Sequence, residues 1–270
     1  MSMTNSAIRP TPGLASVSTP CFTHSVVIPF YNEAGNVIPL LNELREVENQ
    51  LGARWEYILI NDCSTDETGA ELTRWASDRE HARLLQTPRN LGQASALNAG
   101  LIAASAPLII TMDGDGQNVP ADISTLLPLL AQADMVVGIR AQRRDTWIRR
   151  RMSRIANSIR GKVLGDGMRD SGCALKVFHQ RVRHAFVPIK TMYSFMPAMA
   201  VAGGFTVAQR PVQHRIRSCG RSSYGLRAFA WRPLVDMLGM WWFVRRSLNT
   251  SLLAGQAESA PGPQRANRVH

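Results

Sequence analysis

Ile109-Ile110-Thr111-Met112-Asp113-Gly114-Asp115-Gly116-Gln117 is an apolar run that ends in two carboxylates one residue apart. The run has the length and composition of a buried strand, and alternate strand residues point the same way. Asp113 and Asp115 therefore leave the sheet edge on one side. Two hard oxygen ligands at the carboxyl end of a strand suit Mg²⁺ or Mn²⁺, and such an ion in turn holds phosphate. A lone D-x-D is more often a solvated turn, so its weight depends on what surrounds it.

Outward from this run, short apolar segments alternate with amphipathic ones. Strands are predicted at 25–30, 55–60, 83–86, 107–112 and 134–138, and helices at 34–50, 65–78, 93–105 and 121–132. The first helix places apolar residues at 37, 40, 41, 44, 47 and 51. This alternation predicts an α/β fold with a mostly parallel, doubly wound, Rossmann-like sheet flanked by helices. Ligands of such sheets bind at the carboxyl ends of the strands. Between about 165 and 210 the pattern reads as irregular.

The composition narrows the partners. The formal net charge is +11, and only Lys162, Lys176 and Lys190 interrupt an otherwise all-arginine set of 31 basic side chains. Arginine grips phosphate in planar, bidentate fashion, so phosphorylated ligands, anionic membranes or nucleic acid are the candidates. Nucleic acid is disfavoured, because that function interleaves aromatics with basic residues over a surface. Here the aromatics gather in one apolar segment. Cys21, Cys63, Cys173 and Cys219 show neither zinc-site nor disulfide spacing, which makes a reducing cytoplasm the expectation. Residues 1–22 and 249–270 read as disordered tails, 23–226 as the catalytic domain and 227–248 as an amphipathic membrane-contact helix. No signal pattern or spanning helix is expected.

Several strand-end motifs accompany the opening run. Val27-Ile28-Pro29-Phe30-Tyr31-Asn32-Glu33 passes from strand to turn to helix. It can present backbone N–H groups to a ligand, or it is simply a helix capped by Asn32. In Leu59-Ile60-Asn61-Asp62-Cys63-Ser64-Thr65-Asp66, Asp62 can accept the imino N–H of uracil or guanine, while the residues after it can equally be caps. Asn90-Leu91-Gly92-Gln93-Ala94-Ser95-Ala96 is a loop entering a helix.

Taken together in this order, the motifs resemble glycosyltransferase family 2, enzymes of the GT-A fold. The likeness runs over residues 24–248 and is to the branch similar to dolichyl-phosphate mannosyltransferases and bacterial polyprenyl-phosphate glycosyltransferases. It implies an inverting transfer from a nucleotide diphosphate sugar (GDP-mannose or a UDP-sugar) to a polyprenyl phosphate. By that likeness Pro29, Tyr31, Asn32, Glu33, Asp62 and Gly92 line the nucleotide-sugar pocket. Asp113, Asp115 and Gln117 hold the divalent metal and donor diphosphate. The chain departs from the family's usual D-G-S by placing Cys63 where glycine is common.

The second half carries the acceptor. Arg140 ends a predicted strand, and Arg154 and Ser158 are i,i+4 on one helical face, so all three can converge on one phosphate. Residues of this spacing resemble the lipid-phosphate clamp of the dolichyl-phosphate enzymes. Arg169-Asp170-Ser171-Gly172-Cys173 resembles the family's acceptor loop. A phosphate acceptor is already ionised and needs no base, so Asp170 is read as orienting sugar or acceptor. With a saccharide or lipid hydroxyl acceptor it becomes the base. His214-Arg215-Ile216-Arg217-Ser218-Cys219-Gly220-Arg221-Ser222-Ser223-Tyr224-Gly225 resembles the loop that closes over the diphosphate, with Ser223 where lysine is usual and Arg217 as the donor-phosphate contact. Residues 229–246 are too short and too charged to span a bilayer. Their tryptophans and arginines suit a segment lying among anionic headgroups, at the inner face of the cell membrane. A buried C-terminal helix is the competing reading.

Overall fold

The computed structural model describes residues 22–140, 161, 163–215 and 232–251. Among these described residues the sheet has seven strands: β1 (His24–Phe30), β2 (Trp55–Asn61), β3 (Ala82–Gln86), β4 (Leu108–Thr111), β5 (Met135–Arg140), β6 (Lys176–His179) and β7 (Val207–Val212). Their order across the sheet is β3-β2-β1-β4-β6-β5-β7. All neighbours pair in parallel except β6, which runs antiparallel to both β4 and β5. Every strand predicted before residue 140 is present, as are the first three helices. The helix predicted over 121–132 is instead broken into a 3₁₀ turn, one α-turn, α4 (Ile123–Leu126), and a second 3₁₀ turn. Pro120 and Pro128 flank that turn, and each lacks the N–H that would continue the ladder.

Three long helices position the sheet's front edge: α1 (Val37–Leu51), α2 (Thr68–Ala76) and α3 (Gln93–Ala103). The 2-residue period of β1 splits the core. Val26, Ile28 and Phe30 face α1, α2 and α4, whereas Val27 faces α3 and α5 (Met192–Ala202). The result is three layers, helix on sheet on helix.

The region predicted to be irregular is where the sequence pattern misleads. It contains β6, α5 and β7. In α5, Met192, Phe195, Met196, Pro197, Ala198, Met199 and Ala200 are all buried, so no polar face exists to reveal a helical period, and Pro197 sits inside it. Strand β6 is only four residues long and begins with a charge, Lys176.

The last described helix, α6 (Arg232–Val244), has one buried face and one exposed apolar face. Met240 is buried with Phe195, Ala198, Met199 and Leu164, so one face packs on the domain. Val235, Leu238 and Trp242, at i, i+3 and i+7, are more than half exposed and form a second apolar stripe. Arg245 lies over the Trp241 ring and Arg246 over Trp242, which keeps both guanidinium groups at the helix end. Among the described residues no helix is long and apolar enough to cross a membrane.

Candidate functional site

Four turns meet at the carboxyl ends of β1, β2, β3 and β4. The turn after β1 is held open by the turn after β2. Asn32 takes φ +53 and its Oδ1 accepts from Thr65 N at 2.8 Å, while its own N–H donates to Ser64 Oγ. The Glu33 N–H donates to Thr68 Oγ1 and Gly35 N–H to Glu71. Asn32 therefore does not cap α1, whose N-cap position is Asn36. It ties two turns together; Tyr31 beside it is exposed, and Pro29 lines the cleft at the strand ends. Cys63 takes φ +57, so the residue in the family's glycine position adopts a glycine-like backbone despite its side chain.

Asp62 is buried, and its carboxylate is already engaged. Oδ1 accepts from Leu91 N and Thr87 Oγ1, each at 2.9 Å, and Oδ2 accepts from Gly92 N at 2.7 Å. A carboxylate has about four lone-pair directions, so at most one remains for a nucleobase. Its structural effect is to hold Gly92 at φ +86, ψ 157, a conformation only glycine adopts readily, at the start of α3.

The carboxylate pair follows β4. Gly114 separates the two because a Cβ there would meet the Phe30 ring at 2.4 Å. Asp113 Oδ1 accepts from Gln93 Nε2 at 2.6 Å. Burial, and then the charge of Asp115, push the Asp113 carboxyl up to about 6, against the pull of Lys176, Gln93 and Arg140. Asp115 is buried and its Oδ1 accepts from Gln117 N. Gln117 Nε2 donates to Arg215 O at 3.3 Å, so its Oε1 is left for another partner. This donor set fits a divalent ion: two crowded carboxylates, one costly to ionise, with an amide oxygen close in sequence. No group of three His, Cys, Asp or Glu side chains joins them among the described residues. The remaining coordination would come from water and phosphate oxygens, the usual habit of Mg²⁺.

Behind this pair lies an ionic cluster. Arg140 and Asp170 form a bidentate pair, Nε to Oδ2 and Nη2 to Oδ1, both at 2.7 Å, with Arg140 N also donating to Oδ2. Burial opposes the charge on Arg140, but its pairing with Asp170 outweighs this and holds it fully charged. The sequence reading missed two residues here, Gln93 and Lys176. Lys176 is a fully buried lysine whose pKa burial pushes down. Its signal was a lone charge inside the apolar run Ala174-Leu175-Lys176-Val177-Phe178. Arg154, Ser158 and Arg217 lie outside the described residues. The chain leading to Arg217 is anchored, however: His214 bridges to Asn118, Arg215 N donates to Gln117 O, and Arg215 pairs with Glu43 at 2.7 Å. The segment 213–215 is thus fastened beside the metal-type loop.

The sequence profile described as Glycosyl transferase family 2 matches residues 25–187. The chain belongs to glycosyltransferase family 2. Among curated relatives of this family-2 chain, the undecaprenyl-phosphate 4-deoxy-4-formamido-L-arabinose transferase of Edwardsiella ictaluri is 37% identical over 205 residues, which cover 75% of this chain and 63% of the relative. The dodecaprenyl-phosphate galacturonate synthase of Rhizobium johnstonii is 34% identical over 228 residues, covering 82% and 67%. The chain thus spans under two thirds of the first relative's length. Solved structures give the fold. A mannosyltransferase from Pyrobaculum calidifontis in complex with GDP-Man and Mn²⁺ superposes with TM-score 0.58 at 18% identity, covering 91% of this chain and 77% of that one. Glucosyl-3-phosphoglycerate synthase from Mycobacterium tuberculosis in complex with UDP gives 0.60 at 16%, covering 82% and 80%. The fold is GT-A.

Proposed function

We propose that this enzyme transfers a sugar from a nucleotide diphosphate to a polyprenyl phosphate at a membrane surface. The observation that carries this reading is the Arg140–Asp170 pair. A hydroxyl acceptor needs a base, and Asp170, the residue placed to be one, has both oxygens held by a buried guanidinium. Such a carboxylate is a poor proton acceptor. A phosphate acceptor arrives ionised and needs none.

In this reaction an oxygen of the acceptor phosphate attacks the anomeric carbon as its bond to the diphosphate oxygen breaks, inverting that carbon. The bonding electrons leave with the nucleotide diphosphate, and no proton moves. The tied turns around Asn32, Asp62 and Gly92 hold the nucleotide end, with Pro29, Tyr31 and Glu33. Asp113, Asp115 and Gln117 hold Mg²⁺ or Mn²⁺, which when bound offsets charge on the leaving diphosphate. Asp170 fixes Arg140 in one orientation, and Arg140, Arg154 and Ser158 receive the acceptor phosphate, with Arg217 on the donor diphosphate. Positioning and electrostatics supply the rate. The exposed stripe of Val235, Leu238 and Trp242, capped by Arg245 and Arg246, supports peripheral attachment to anionic lipid, which brings a polyprenyl substrate within reach.

The test offers the purified protein labelled UDP- and GDP-sugars with Mg²⁺ or Mn²⁺ and undecaprenyl phosphate, beside an Asp115→Ala control. Label extracted into organic solvent with one donor, and absent from the control, is the expected result. Transfer to a saccharide or lipid hydroxyl, lost in Asp170→Asn, would establish the alternative acceptor instead. Failure to sediment with anionic liposomes at low salt would remove the membrane contact.

A further inference from the structure

Lys176 has no use in the reaction just described, and its surroundings are unusual. The ammonium is buried, yet among the described residues it has a single hydrogen-bond acceptor, Cys173 O, and no carboxylate within ion-pair distance. A buried charge left so poorly matched is costly, and an ammonium has three N–H donors to satisfy. Two of them are unspent. Because β6 runs antiparallel to β4 and β5, its first residue stands at the same sheet edge as the ends of those strands, opposite Thr111 and Val137.

Lys176 lines a cleft of about 50 Å³ together with Pro29, Gln93, Asp113, Gly172 and Tyr193. Pro29, Gln93 and Asp113 belong to the donor end, and Gly172 to the acceptor loop. The cleft therefore joins the donor end to the acceptor loop, where the transferred sugar would lie. The charges around it point the same way. Asp170 is consumed by Arg140, and a divalent ion on Asp113 and Asp115 would take their charge. Lys176 then keeps its remaining N–H donors for a ligand.

We propose that Lys176 donates to an oxygen on the transferred sugar, a hydroxyl or a carboxylate that enters this cleft, and so selects the donor at one ring position. The proposal rests on the nucleotide-sugar reading above. Lys176→Met keeps the length and removes the charge and donors. With Mn²⁺ present, calorimetry on UDP, GDP, UDP-galactose, UDP-galacturonate, GDP-mannose and a deoxy series of the tighter-binding donor measures the affinity the sugar adds to the nucleotide. The expected result is that Lys176→Met binds the nucleotide within about twofold of wild type. The sugar's added affinity falls about 10- to 100-fold, the worth of a hydrogen bond from a charged donor. A wild-type preference for the uronate, erased in the variant, identifies a carboxylate. A loss on deleting one hydroxyl, again erased in the variant, identifies that hydroxyl. Equal losses for nucleotide and nucleotide sugar, or no change in either, overturn the proposal. If Lys176→Met does not fold, Lys176→Gln is measured in its place. On the wild type alone, indifference to every deoxy and uronate change also overturns it. Wild-type protein that binds no nucleotide at all sinks the nucleotide-sugar reading, whereas nucleotide binding with no sugar contribution sinks only the role of Lys176.

Discussion

The two ends of the site are built from different materials. At the donor end, turns after β1, β2 and β3 are fastened by short polar side chains to backbone N–H groups, as Asn32 is to Thr65 and Asp62 to Gly92. At the acceptor end, charged side chains meet in a largely desolvated cluster of Arg140, Asp170 and Lys176. The first kind of assembly tolerates solvent and holds a shape. The second is sensitive to the loss of any one charge, because a partner left behind is stranded. On the proposed function, the first assembly would face the nucleotide and the second the sugar and acceptor.

The largest effect should come where the two ends meet. Asp115→Asn is expected to lower turnover by at least about 10³-fold with nearly unchanged thermal stability, as assayed by label transfer and thermal melts. A variant retaining near-normal turnover would detach the carboxylate pair from the chemistry. Next, Arg140→Ala should cost about 3 kcal/mol in urea unfolding, since it strands Asp170, and Arg140→Lys should recover little of it because lysine cannot pair in bidentate fashion. Full recovery in the lysine variant would erase the contrast between the ends.

On the donor side, Asp62→Asn should cost about 2 kcal/mol and weaken nucleotide affinity through the Gly92 turn, with no effect on acceptor saturation. An acceptor effect of equal size would mean that the ends are not separable. The pH dependence of metal binding reads the junction again. Below about 6 a proton competes for Asp113, so Mn²⁺ affinity should fall about tenfold per pH unit. In the metal-free protein the raised Asp113 favours folding below its ordinary value, and this contribution is lost as pH rises through about 6. Mn²⁺ should therefore raise the melting temperature more at pH 7 than at pH 5, and an equal rise at both would contradict the assignment. The smallest effect is expected at Cys63→Gly. Relief of the φ +57 strain exceeds the entropy that glycine adds to the unfolded chain, so stability should rise by about 0.5 kcal/mol. A loss would show that the Cys63 side chain is itself packed usefully.

The same division governs what could be read from the sequence. The first half of the sheet is a succession of strand–turn–helix units, each with its own apolar period and its own turn residues, so its strands and their order were legible. Even there, the sequence could not tell that Asp62 spends its carboxylate on the backbone of residues 91 and 92, because that contact joins separate turns. Beyond Arg140 the local signals vanish. Helix α5 is apolar on nearly every side, β6 is four residues long, and β7 carries Pro211 in a half-exposed run. Lys176 looked like an interruption of an apolar segment, and only the antiparallel placement of β6 shows that the interruption faces the cleft. The pairing of Arg140 with Asp170 was equally hidden, although each residue had been singled out separately.

The sheet's pairing pattern also bears on the order in which the chain takes shape. His24 pairs with Trp55 and Tyr57 with Ala82 across single helical crossovers, whereas Leu108 must find His179 and Met135 must find Val207. Longer loops cost more entropy to close. A refolding chain should therefore protect the amides of β1 and β2 from hydrogen exchange before those of β6 and β7, and pass through a stage with its nucleotide-facing turns formed and its selective pocket still unmade.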